Sequence, residues 1–192
     1  MGFLDKIPLP PKTTFNVGLT PAGNATMLGL FGHPVQNAAY LPSGDCTPAN
    51  NATFVKLLET RTVGPFTVTG LKPALDSMAQ ILGRVKTEVP DLYNALGTAG
   101  MHCARFRKIT KNGVLKIGPN ISNHSWGTAV DIKLAGQLDK QGDGITLRGL
   151  LVLSAFFNAA SWYWGAGFST EDAMHFEVSK SLLAKWKQAG AI

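Results

Sequence analysis

The chain has 192 residues, 45% apolar and 16% charged, enough for one domain with a sizeable core and a modest extension, and too apolar for wholesale disorder. Its formal charge of +6 is spread along the chain without a run that interleaves basic and aromatic residues, so no nucleic acid partner is expected, while an anionic polymer such as a bacterial envelope suits the sign of the charge. No span approaches the roughly 18 apolar residues of a membrane helix, which argues against membrane insertion, and Asp5 stands where a secretory leader would be apolar.

Residues 1–50 are rich in Pro, Gly, Asn and Thr, with turn signals around Pro21-Ala22-Gly23-Asn24, Gly32-His33-Pro34 and Pro42-Ser43-Gly44-Asp45. They read as an irregular arm packed on a domain formed by residues 51–192. Cys46 and Cys103 are the only cysteines. They make no disulfide scaffold and fit no CxxC or CxxH spacing; two free, partly buried thiols are expected, with a single bridge left open. A short helix is predicted over residues 53–60, then strand-like segments on either side of Gly64-Pro65.

The clearest helix spans residues 71–89, where Leu71, Leu75, Met78, Leu82, Val85 and Val89 fall on one face. Pro73 suits its first turn and Pro90 ends it. Asp91 is predicted to cap a second short helix through Leu96, closed by Gly97 and Gly100. An apolar helix follows over residues 147–162, and a last one from Ser179, a good N-cap, to Gly190.

Two segments alternate instead. In Ala129-Val130-Asp131-Ile132-Lys133-Leu134 the apolar side chains share one strand face and Asp131 and Lys133 the other; in Met174-His175-Phe176-Glu177-Val178 the polar face carries His175 and Glu177. Paired in one sheet, the two strands would bring Asp131 to His175. A turn at Ser125-Trp126-Gly127 would fold His124 back over the start of the first strand. Two imidazoles and a carboxylate can hold zinc while leaving a position for water, and a further carboxylate, Asp172 or next to it Glu171, can handle protons. A metallohydrolase is therefore the leading expectation. His33 and His102 have no such context. Residues 139–144 faintly resemble a calcium loop but lack the remaining ligand spacing and the glutamate at position twelve, and read as a turn.

Ser122-Asn123-His124-Ser125-Trp126-Gly127-Thr128-Ala129-Val130-Asp131 resembles the His-x-x-Gly-x-Ala-x-Asp motif of the zinc peptidoglycan peptidases, the superfamily of D-alanyl-D-alanine carboxypeptidases (VanY-like enzymes among them), D,D-dipeptidases of vancomycin resistance and phage L-alanyl-D-glutamate endopeptidases (endolysins). Asp172-Ala173-Met174-His175-Phe176 resembles its second motif, and Trp164-Gly165-Ala166-Gly167-Phe168 the Trp-Gly-rich turn that often precedes it. The similarity extends back to about Gly64 and leaves the first 50 residues unexplained.

The resemblance implies Zn2+ held by His124, Asp131 and His175, with Asp172 as general base and acid. Many members carry Glu at that position, so Asp172 is a shorter variant and Glu171 the alternate. Arg105 is implied as the oxyanion stabiliser, with Arg107 as alternate. The implied fold is α+β, a small, mainly antiparallel sheet with helices on one face and zinc on the open side, as in the hedgehog and D,D-peptidase fold. The implied function is hydrolysis of a peptide bond in a peptidoglycan stem peptide by a monomer made in the cytoplasm, acting on the wall or periplasm after release or dedicated export. The rivals are a non-catalytic zinc-stabilised wall-binding module and a structural envelope protein without metal.

Overall fold

The alternation at residues 129–134 and 174–178 is realised as two neighbouring strands in the computed structural model, which describes residues 2–111 and 114–192, so that Met1 of the expected arm lies outside it. In chain order the first elements are strand β1 (Lys6–Pro8), helix α1 (Asn24–Phe31), the single-turn helix α2 (Ala52–Val55), the hairpin β2 (Leu58–Val63) and β3 (Phe66–Leu71), the long helix α3 (Lys72–Glu88), helix α4 (Pro90–Ala95) and strand β4 (Leu96–Gly100). The hairpin β5 (Phe106–Lys111) and β6 (Val114–Ile121) follows, then β7 (Ala129–Leu134), β8 (Ile145–Leu147), helix α5 (Arg148–Ala159), β9 (Trp162–Trp164), β10 (His175–Val178) and helix α6 (Lys180–Gln188). Six α-helices and small antiparallel sheets among the described residues place the chain in the α+β class.

The central sheet has the order β4-β7-β10-β9, antiparallel throughout. His175 pairs with Asp131 and Phe176 with Val130, as the alternation requires. Val130, Ile132, Leu134 and Phe176 are all fully buried on one face, each contributing about 1.5–3 kcal/mol of apolar burial. Helix α5 covers that face, with the Phe157 ring 4.3 Å from that of Phe176, and α3 packs behind it. Helix α3 buries Leu75, Met78, Leu82 and Val85 on the face read from their spacing, and has Pro73 in its first turn. Ser179 caps α6 by accepting a hydrogen bond from the Leu182 N–H at 3.2 Å.

Several expectations need correction. Residues 58–60, expected to be helical, pair with residues 69–71 across the β2–β3 hairpin. Helix α4 starts at Pro90, so Asp91 lies in its first turn rather than at its cap, a position where the helix dipole favours an acid. Residues 96–100 do not close that helix but form β4 against β7; the glycine-rich sequence carries no strand alternation, and pairing with a neighbour distant in sequence decides its state. The apolar helix ends at Ala159, where Ser161 takes φ +63°, and Trp162–Trp164 becomes the edge strand beside β10.

The first 50 residues are not irregular throughout. They include β1 and α1, and Phe15, Ala22, Met27, Phe31, Val35 and Tyr40 enter the same hydrophobic core as Leu75, Val130 and Phe176. The expectation of two free thiols fails: Cys46 and Cys103 are joined in a disulfide. The Thr47 N–H donates to the Ala104 carbonyl at 2.8 Å, and this bridge brings the neighbouring cysteine Cα atoms to 5.0 Å, within disulfide reach. Among the described residues no helix is long and apolar enough to cross a membrane.

Candidate metal centre and its cleft

Two tight turns place the candidate ligands. Asn123–Trp126 forms a single 3-10 turn that ends at Gly127 with φ +61° and ψ +32°. A Cβ on Gly127 would come within 2.7 Å of the Leu71 nitrogen and 2.8 Å of the Gly70 Cα, and the Leu71 N–H donates to the Gly127 carbonyl at 2.9 Å. Trp126, fully buried, donates its indole N–H to the Gly32 carbonyl at 2.9 Å. The turn is thus wedged between β3 and the N-terminal segment, and His124 folds over the start of β7 as its spacing suggests. The second turn follows Trp164. The Asp172 N–H donates to the Gly165 carbonyl and the His175 N–H to the Asp172 carbonyl, at 3.0 and 3.1 Å, while the Trp164 indole N–H donates to the Ala173 carbonyl at 2.6 Å.

On the face of the sheet opposite α5, His124 Nε2, Asp131 Oδ1 and His175 Nδ1 converge. The nitrogens are 3.2 Å apart, and Asp131 Oδ1 lies 3.2 Å from His124 and 3.0 Å from His175. Donors around a tetrahedral zinc at about 2.0–2.2 Å are separated by roughly 3.3–3.6 Å, so the set needs to open by only a few tenths of an ångström. The tautomers agree with metal binding. His124 Nδ1 faces the Met101 carbonyl at 2.8 Å and His175 Nε2 faces the Glu177 carboxylate at 3.0 Å; both partners only accept, so these nitrogens carry the protons. The two remaining nitrogens then face each other and the Asp131 carboxylate, the side from which a metal ion would be bound. These three residues can hold a metal ion.

The same geometry sets the protonation of the metal-free chain. Burial disfavours a charged His175, but hydrogen bonds to Asp131 and Glu177 outweigh it and push its pKa up to about 10. Burial acts to raise the Asp131 carboxyl, yet His124 and His175 hold it well below the usual range. Asp172 is raised by burial first, with His175 pulling it back and Asp131 pushing it further up.

A cleft of about 210 Å³ opens over the three ligands. Arg105, Arg107, Lys108 and Ile109 line one wall; Phe168, Ser169 and Thr170 line another, with Asp172 and Glu177 close to the ligands. Both predicted arginines therefore reach the cleft. Asp172 lines it as well, with Oδ1 buried and unpartnered and Oδ2 accepting from the Gln141 amide at 3.3 Å. Glu171 is not among the lining residues: its Oε1 accepts the Asp143 and Gly144 N–H groups at 2.7 and 3.0 Å, so residues 139–144 form a turn folded over it. His33 lies beside Tyr40 and His102 beside Phe54, outside the ligand cluster. Sequence reasoning placed Glu177 on the right face without giving it a contact, and missed the Met101 carbonyl, since a backbone acceptor leaves no trace in residue type.

A small antiparallel sheet with two histidines and an aspartate converging beside a further carboxylate and an arginine wall defines an α+β protein with a site that can hold a metal ion. Residues 116–178, from β6 to β10, match the model of a peptidase family described as D-alanyl-D-alanine carboxypeptidase, the family to which the two motifs point. The matched stretch holds His124, Asp131, Asp172 and His175, while Arg105 lies outside it. No curated protein and no solved structure matches the chain.

Proposed function

We propose that this chain is a zinc peptidase that hydrolyses a peptide bond of bacterial peptidoglycan stem peptides, at L-Ala–D-Glu or at D-Ala–D-Ala. The observation that carries the reading is the convergence of His124 Nε2, Asp131 Oδ1 and His175 Nδ1, with Asp172 in the same cleft and all four residues inside the peptidase match. Zinc held by His124, Asp131 and His175 would supply a Lewis acid able to polarise a carbonyl and to lower the pKa of water. Asp172 takes the proton from the attacking water and delivers it to the leaving amine. Its burial raises its proton affinity, which suits a group that must hold a proton between the two transfers. Arg105 faces the oxyanion that forms on the carbonyl oxygen, with Arg107 as the alternate on the same wall.

In this reading residues 51–192 are the catalytic domain of hedgehog and D,D-peptidase-like fold, with residues 1–50 as an arm packed on it. The protein acts as a monomer of the endolysin type, on the wall or periplasm after release or dedicated export, and its charge of +6 suits an anionic wall. The test is digestion of purified sacculi by zinc-loaded protein with mass analysis of the products. New N-terminal D-Glu marks endopeptidase action and free D-Ala marks carboxypeptidase action; absence of both refutes the proposal. Asp172→Asn should lower turnover by roughly 10²–10⁴-fold while zinc stays bound. Unchanged turnover would remove Asp172 from the mechanism.

A further inference from the structure

We infer that Glu177 is a positioning residue for the metal: it selects the tautomer of His175 that binds and supplies half of the charge that balances the ion. The inference rests on the zinc reading above. His175 and Glu177 are two residues apart on β10, so their side chains share the ligand face. Glu177 is only 2% exposed, and its Oε2 lies 3.0 Å from His175 Nε2. A carboxylate only accepts, so a ring proton is held at Nε2, and Nδ1 is the nitrogen left toward Asp131 Oδ1 and His124 Nε2, at 3.0 and 3.2 Å.

The two histidines therefore use opposite nitrogens and are anchored differently. His124 donates to a neutral backbone carbonyl, Met101, whereas His175 donates to a formal charge. A carboxylate behind an imidazole fixes the ring and raises its basicity as a ligand. Burying Glu177 is costly in isolation, because its Oε1 has no hydrogen-bond partner. A divalent ion offsets that cost: Asp131 and Glu177 together carry the two negative charges that neutralise it.

The test is Glu177→Gln, which preserves shape and an acceptor oxygen but removes the charge and offers an NH2 group that stabilises the wrong tautomer. Zinc affinity is measured by chelator competition, the ligand field by the absorption of the cobalt-substituted protein, and folding by thermal unfolding of the metal-free chain. We expect affinity to fall about 10–100-fold and the cobalt bands to shift, with unfolding of the metal-free chain unimpaired. Unchanged affinity with an unchanged cobalt spectrum overturns the inference. A readout independent of any variant is the histidine ring spectrum of the zinc-loaded wild-type protein by NMR, which should show the His175 proton on Nε2 and the metal on Nδ1; the reverse assignment overturns it too. Wild-type protein that takes up no zinc would instead refute the zinc reading itself, and the inference with it.

Discussion

Asp172 and Glu171 are adjacent in sequence and have opposite surroundings. Glu171 is tucked beneath the turn of residues 139–144, and Asp172 faces the cleft; the sequence ranked Asp172 first with Glu171 as alternate but gave no physical ground to part them, because their separation depends on backbone donors supplied from almost 30 residues away. The same turn leaves a titration signal at Asp139. Burial, opposed by the Leu147 N–H and reinforced by Glu171, pushes its pKa from 3.8 to about 6. A carboxyl whose folded pKa lies above its unfolded value is bound best when protonated, so its unfavourable effect is absent below about pH 4, grows between pH 4 and 6, and persists above. Asp139→Asn should therefore stabilise the protein at pH 7.5, by about 1 kcal/mol once the shift is discounted for partial exposure, or about 2–4 °C in Tm. Near pH 4 the difference should vanish. Thermal unfolding at the two pH values checks this, and equal Tm values at pH 7.5 would contradict it.

The elements that could be read from the sequence are those whose pattern is local. Helix α3 shows its buried face in the spacing of Leu75, Met78, Leu82 and Val85, and β7 and β10 show theirs by alternation. Strands β4 and β9 could not be read, since Leu96–Gly100 and Trp162–Trp164 are extended only because β7 and β10 offer them ladders. Gly127 belongs to both worlds: its place in the motif is evident, but its reason is the β3 backbone against it. Gly127→Ala adds a methyl with no room at a residue with φ +61°, and should cost about 1–3 kcal/mol and weaken zinc binding through displacement of His124. Gly83→Ala is the internal control. It lies in α3 with open space around its Cβ, and should stabilise by about 0.5–1 kcal/mol. Denaturant unfolding of both variants distinguishes the two; equal effects would mean that the contact with β3 is not what constrains Gly127.

At the scale of the molecule, the first 50 residues are joined to the site by more than packing. Cys46 is bonded to Cys103, whose N–H donates to the His124 carbonyl at 3.1 Å, and Met101, two residues earlier, holds the His124 ring. Closing a loop of 57 residues should stabilise by about 2–4 kcal/mol. Cys46→Ser, or reduction of the wild-type protein, should lower Tm to a similar extent, and reductant should leave the variant's Tm unmoved; a wild-type Tm insensitive to reductant would show that the bridge does not support the fold. By itself the sequence determined which side chains share a face, because the periods of helix and strand are properties of the local backbone, and hence that Asp131 and His175 stand on polar faces with His124 in a turn beside them. That Cys46 meets Cys103, that Met101 and Glu177 contact the two imidazoles, and that Asp172 rather than Glu171 faces the cleft follow from the packing of the folded chain. Those contacts join segments distant along the chain or pass through backbone groups, and neither leaves a mark in residue type or spacing.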